Sequence, residues 1–197
     1  MAETGLQLYF SSLDEADVSH ISGNASNRVK AFVADLSTFY GVNMYPELKA
    51  TFCDYIIPRI KVTEVSVLKK AEEPMKVEGR VVCSLTVEDD MVNAGKNMHG
   101  GCSAFLVDIC STLSLSALSL ETTGKPHYMV SQTINTIYHS PAGLGDELRI
   151  VNTSLTLGGR AASAKTEIWN ATHHRLVVSG THIKMQASPA PSSRPKL

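Results

Sequence analysis

The stretch "NMHGGCSAFLVDICSTLSLSAL" (residues 97–118) most restricts what this chain can fold into. From about His99 to Leu120 it reads as one long helix. Phe105, Leu106, Val107, Ile109, Cys110, Leu113, Leu115 and Leu118 surround that helix and leave it no polar face. A helix apolar nearly all round must be covered on most sides. Its length is near the ~20 residues that cross a bilayer. Ser103, Ser111, Ser114, Ser116, Ser119 and above all Asp108 make it too polar for that, so a buried core helix is expected rather than a membrane span.

The flanking sequence supplies the cover. Residues 60–68 and 80–87 alternate apolar and polar side chains as strands do, and 128–139, 146–157, 160–170 and 175–186 follow the helix in the same style. Gly124 and Pro126 end the helix, and Gly158-Gly159 marks a hairpin turn. Two strands, one long helix and four strands, without βαβ alternation, define an α+β fold with a mainly antiparallel sheet curved around the helix. A second subunit is expected to cover what the sheet leaves exposed.

Three segments follow from this order. Residues 1–50 form an N-terminal extension, loose up to residue 23, with an amphipathic helix over about 26–40 that starts at Ser26 or Asn27 and stops at Gly41. Residues 51–187 form the main domain, and 188–197 a Pro/Ser-rich disordered tail. In 197 residues, 43 % apolar content allows a sizeable core, and a net charge of −1 without basic runs excludes electrostatic capture of nucleic acid. Cys53, Cys83, Cys102 and Cys110 show no metal-site spacing and read as reduced intracellular thiols, so no metal is expected. The N-terminus lacks the pattern of a secretory or transit peptide. The C-terminal Pro-Lys-Leu is similar to the Ser-Lys-Leu peroxisomal address with proline in first place. Cytoplasm is therefore the first expectation, peroxisome the second, and mitochondrion stays open.

The chemistry concentrates at "HGG" and Asp108. A helix start presents unpaired N–H groups and partial positive charge, suited to a developing oxyanion, and glycine there lets a carbonyl oxygen approach. The plain alternative is a turn that merely caps the helix. A carboxylate in an apolar helix is costly unless it is hydrogen-bonded or faces a cavity. Asp108 lies roughly 13 Å along the axis from His99, too far for both to address one bond. Two copies packed around a two-fold axis solve this, with the turn of one meeting Asp108 of the other. The alternative for Asp108 is a polar residue satisfied at that seam.

Asn93, His99, Gly100, Gly101 and Asp108, spaced N-x5-HGG-x6-D, with "SQTINTIYHSPAGLGDEL" and "LGGRAASAKTEIWNATHHRLVVSGTHIKM", resemble the hotdog-fold acyl-CoA thioesterases of the PaaI-like kind, thioesterase superfamily member 2 type. The likeness covers about residues 50–187. It implies a Gly100 N–H that polarises the thioester carbonyl, with Asn93 assisting and His99 shaping the loop. It implies Asp108 as general base on water or, alternatively, nucleophile, and Ser131 orienting that water. Tyr138, His139, Ser140 and Pro141, with Gly158, Gly159 and Arg160, match the segments that embrace coenzyme A. Arg160 suits phosphate, though a solvated turn arginine is the plain alternative, as a ladder residue is for Ser131. Lys184, His139 and Lys165 are weaker anion candidates, Trp169 reads as packing, and His173 and His174 as exposed loop residues. Coenzyme A would be part of the substrate, with no other cofactor, and the assembly a homodimer or dimer of dimers.

The sequence departs from the family in one turn. A glycine commonly stands three residues before the histidine, where this chain has Lys96, and Asn97 offers a second nearby amide. The expected activity is hydrolysis of a fatty or aromatic acyl-CoA to free acid and coenzyme A. A non-catalytic acyl-CoA binder and a hotdog enoyl-CoA hydratase are the alternatives.

Overall fold

The computed structural model describes residues 12–41 and 52–188. The strands are β1 (Lys61–Lys69), β2 (Val77–Thr86), β3 (Val130–Tyr138), β4 (Glu147–Leu157), β5 (Ala161–Asn170) and β6 (Arg175–Met185). The helices are α1 (Asn27–Ala34), α2 (Leu36–Phe39) and α3 (Gly100–Thr123). All six strands pair antiparallel in one sheet, in the order β1-β2-β4-β5-β6-β3. This sheet folds around α3, the hotdog arrangement expected from the sequence.

Alternation sets which side chains meet the helix. Cys83 pairs with Ile150, Ile150 with Ile168 and Ile168 with Val178 across four strands, and all four are buried. They form one core with Leu106, Cys110 and Leu113 of α3. The helix lies close on the sheet where glycines make room. A Cβ on Gly79 would come within 2.3 Å of the Ser114 carbonyl, and one on Gly180 within 2.8 Å of Val107. Two buried serines of α3 bond back to their own helical turn: Ser103 donates to the His99 carbonyl and Ser114 to that of Ser111. Gly124, at φ 70°, closes the helix as the glycine signal predicted.

The N-terminal extension differs from its expectation in two respects. The helix expected over 26–40 is broken at Asp35 (φ −84°, ψ 70°), whose carboxylate caps α2 by accepting from the Thr38 N–H. Among the described residues, 12–24 are tied down rather than loose, and residues 1–11 lie outside the described residues. Ser22 exchanges backbone hydrogen bonds with Thr63 and Val65, and the Asn24 amide bonds both the N–H and C=O of Val67. Leu13, Val18 and Ile21 are buried beneath it. Helix α1 then packs on α3 and β1. Its Ser26 makes no side-chain cap bond and donates instead to Glu121 near the end of α3. The C-terminal Pro-Lys-Leu lies outside the described residues.

Candidate active site

His99 is the N-cap of α3, and its ring Nδ1 accepts from the Gly101 N–H at 2.9 Å. That bond leaves the imidazole proton on Nε2. A Cβ on Gly101 would come 3.0 Å from that same Nδ1, so the second glycine makes room for the capping ring. The first leaves an N–H at the helix start, where no preceding helical turn supplies a carbonyl to accept it. The Gly100 carbonyl accepts from Tyr138 Oη at 3.0 Å, which fixes the turn to β3.

The loop ahead of the turn is shaped by the two amides singled out in the sequence. Asn93 Oδ1 accepts from the N–H groups of Gly95 and Asn97, and Asn97 Nδ2 donates to the Gly95 carbonyl. Lys96 occupies φ 58°. The position at which the sequence departs from the resembled family is thus left-handed, and this chain meets it with a lysine.

Asp108 projects toward β3, with its side chain 38 % exposed. Its Oδ1 accepts from Ser131 Oγ at 2.9 Å, so Ser131 does meet the predicted base. The sequence reading missed His182. Fully buried on β6, its Nε2 stands 3.5 Å from Asp108 Oδ1, and its Nδ1 is 2.7 Å from Ser111 Oγ. Burial foremost, then the nearby Lys184 ammonium, lower its pKa to about 4 against the pull of Asp108, so it is neutral at physiological pH. The signal was available. Val178, Gly180, His182 and Lys184 alternate on the buried face of β6, and an inward-facing histidine and lysine on an otherwise small and apolar row need partners.

The residues matched to coenzyme A divide between two places. Tyr138, His139, Ser140 and Pro141 lie by the start of α3. There His139 Nε2 meets Ser179 Oγ at 2.9 Å and Ser140 Oγ donates to the Leu176 carbonyl. Gly158 and Gly159 border a cavity of about 410 Å³ with Ser119, Thr123, Lys125 and His127 at the far end of the helix, and Arg160 follows them in the turn. About 30 Å of helix separates the two groups. The hairpin itself is a three-residue connection, and neither of its glycines takes positive φ, unlike the two-residue turns that glycine pairs favour. Of the weaker candidates, Lys165 pairs with Glu167 and Lys184 is buried inside the fold. His173 and His174 are exposed in their turn as expected, and His173 Nε2 also lies 3.2 Å from the buried Asp146.

A helix-start turn and a hydroxyl-bonded carboxylate on one helix wrapped by an antiparallel sheet are the arrangement expected of a hotdog thioesterase. Comparison with known proteins agrees. The model described as thioesterase superfamily matches residues 95–177. Acyl-coenzyme A thioesterase 13 of Homo sapiens is 34 % identical over 106 residues, 54 % of this chain and 72 % of that one. The Mus musculus counterpart is 32 % identical over 118 residues, 60 % and 81 % of the two chains. The crystal structure of zebra fish thioesterase superfamily member 2 superposes with a TM-score of 0.57 at 26 % identity, covering 77 % of this chain and 95 % of that one. The chain belongs to the thioesterase superfamily and is a thioester hydrolase.

Proposed function

We propose that the protein hydrolyses acyl-CoA to free acid and coenzyme A, at sites shared between two copies of the chain. The observation that carries this is the Ser131–Asp108 hydrogen bond on a helix whose first turn offers the Gly100 N–H. Asp108 takes a proton from water held with Ser131, and the water oxygen attacks the thioester carbonyl carbon. The resulting oxyanion is held by the Gly100 N–H at the positive end of α3. Collapse expels the coenzyme A thiolate, which then takes up a proton. Coenzyme A is part of the substrate, and the mechanism calls on no further cofactor.

Gly100 and Asp108 lie about 12 Å apart along one helix, so the shared site is the economical arrangement. Strand β3 supports it. It is an edge strand of the sheet, exposed along most of its length, and it carries Ser131 near one end and Tyr138 at the other. Pairing two such edges antiparallel about a two-fold near Ile134 and Asn135 brings Ser131 and Asp108 of one copy opposite Tyr138 and Gly100 of the other. The same operation carries the turn at residues 158–160 of one copy toward the helix start of the other. This would unite the divided coenzyme A residues.

The test is thiol release from short, medium, long and aromatic acyl-CoAs, which also reads chain-length preference. Asp108→Asn is expected to lower kcat by about 10²–10⁴-fold while the protein stays folded and associated. Full turnover in that variant would refute the mechanism. The use of the His99 ring as a helix cap disfavours the hydratase alternative. Incubation with crotonyl-CoA separates the two: hydration consumes the enoyl absorbance without freeing thiol.

A further inference from the structure

Among the described residues, Lys184 is the one buried lysine or arginine, with 6 % of its surface exposed. It points inward from β6, opposite Ser131 on β3 and Ala162 on β5. Its Nζ donates to Thr112 Oγ1 at 3.1 Å, and Thr112 Oγ1 in turn donates to the Asp108 carbonyl at 2.9 Å. A buried ammonium resting on one neutral hydroxyl is costly without a nearby anion. The charged and titratable groups around it are few. Helix α3 presents Asp108, β6 presents the neutral His182, and the facing positions on β3 and β5 are a serine and an alanine. The compensating charge is therefore the Asp108 carboxylate.

We propose that Lys184 is a positioning residue for the hydrolysis described above: its ammonium, anchored on Thr112 behind the helix, keeps the Asp108 carboxylate aimed at the open sheet edge. This rests on the assignment of Asp108 as base, and it removes Lys184 from the candidates for coenzyme A phosphate. Burial lowers the pKa of the Lys184 ammonium below the ordinary lysine range, with Asp108 opposing the shift. The cation is then lost earlier on the alkaline side than a surface lysine would lose it, and turnover falls with it.

The experiment compares kcat and KM across pH for the wild type, Lys184→Met and Lys184→Arg, after subtraction of spontaneous thioester hydrolysis. Lys184→Met, apolar and of similar length, is expected to lower kcat about tenfold or more with KM within about twofold. Lys184→Arg, which stays charged, is expected to recover most of kcat and to lack the alkaline fall. A folded Lys184→Met with unchanged kcat overturns the proposal, as does Lys184→Arg with the wild-type alkaline limb. A rise in KM alone overturns it too and returns Lys184 to phosphate binding. Should the wild type release no thiol, the thioesterase reading fails, while NMR titration of the Lys184 Nζ still decides this one. Loss of its proton at lower pH than the other lysines, and lower still in Asp108→Asn, supports the pairing. Titration together with the surface lysines in both proteins overturns it.

Discussion

The two edges of the sheet have opposite fates. At the β1 edge the chain covers its own backbone. Ser22 bridges Thr63 and Val65, Ala25 donates to the Val65 carbonyl, and Asn24 occupies both backbone groups of Val67. At the β3 edge most of the strand is exposed, including Val130, Ile137 and Tyr138. An open apolar edge is an invitation to pair, which natural sheets otherwise blunt. Here the edge left open is the one beside Ser131, Asp108 and the Gly100 turn. The contrast teaches that cover and candidate chemistry are separated: one edge is sealed by the chain itself, and the open one lies beside Ser131 and Asp108.

Lesions at the open edge should therefore cost turnover with little loss of stability, and the reverse should hold at the sealed edge. Beside Asp108→Asn, a large effect is expected from Gly100→Pro. Proline is tolerated at the first helical position and removes the N–H alone, so kcat should fall about 10²–10³-fold while the melting temperature barely moves. Co-expressing Gly100→Pro with Asp108→Asn sharpens the comparison. Random pairing gives one intact site in half of the dimers, so thiol release should return to about a quarter of wild type if sites are shared, and stay near zero if each copy is self-sufficient.

At the sealed edge, Gly23 sits at φ 98°, and a Cβ there would meet the Val65 carbonyl at 2.1 Å. Gly23→Val should lower unfolding stability by about 3 kcal/mol in denaturant titration, with kcat per folded molecule unchanged. A loss of turnover in proportion would show that the strap also serves catalysis.

His182 links the core to the open edge through pH. Its pKa is held at about 4 when folded, against 6.5 for an unperturbed histidine, so between those values the unfolded chain takes a proton the folded one refuses. Its contribution is complete above pH 6.5 and is lost as pH falls toward 4, about 3 kcal/mol at most. Denaturation midpoints measured at pH 7 and pH 4.5 should show this fall in the wild type and a smaller one in His182→Gln. The smallest effect belongs to Lys96, left-handed in the loop ahead of the active turn. Lys96→Gly should raise stability by about 0.5–1 kcal/mol, because it trades a strained lysine for a residue that adopts this φ freely.

Much of this was legible in the chain. The period-2 runs placed all six strands to within a few residues, and the apolar run bounded by His-Gly-Gly and Gly124 placed the long helix. Both signals are local: alternation and caps act within a few residues of the side chains that carry them. The same locality made Gly100 and Asp108 visible as helix start and intrahelical carboxylate, and their separation along the axis already called for a second copy. The split at Asp35 was harder to see, because the apolar period runs on through it and only the cap bond to Thr38 breaks it.

What escaped depends on chain segments that are far apart in sequence. His182 and Ser111 are 71 residues apart, Lys184 and Thr112 72, and each pair meets only because β6 lies under α3 in this strand order. The strap over β1 escaped for a similar reason. Ser22 and Asn24 look like loop residues, and their partners are backbone groups some forty positions on, which carry no side-chain signature. By itself the sequence determined the elements, their order and the placing of Gly100 and Asp108 along one helix, since those follow from short-range periodicity and capping. The packing around Asp108, the sealing of one sheet edge and the freedom of the other came from the tertiary fold, because burial and long-range hydrogen bonding are properties of how the strands are arranged.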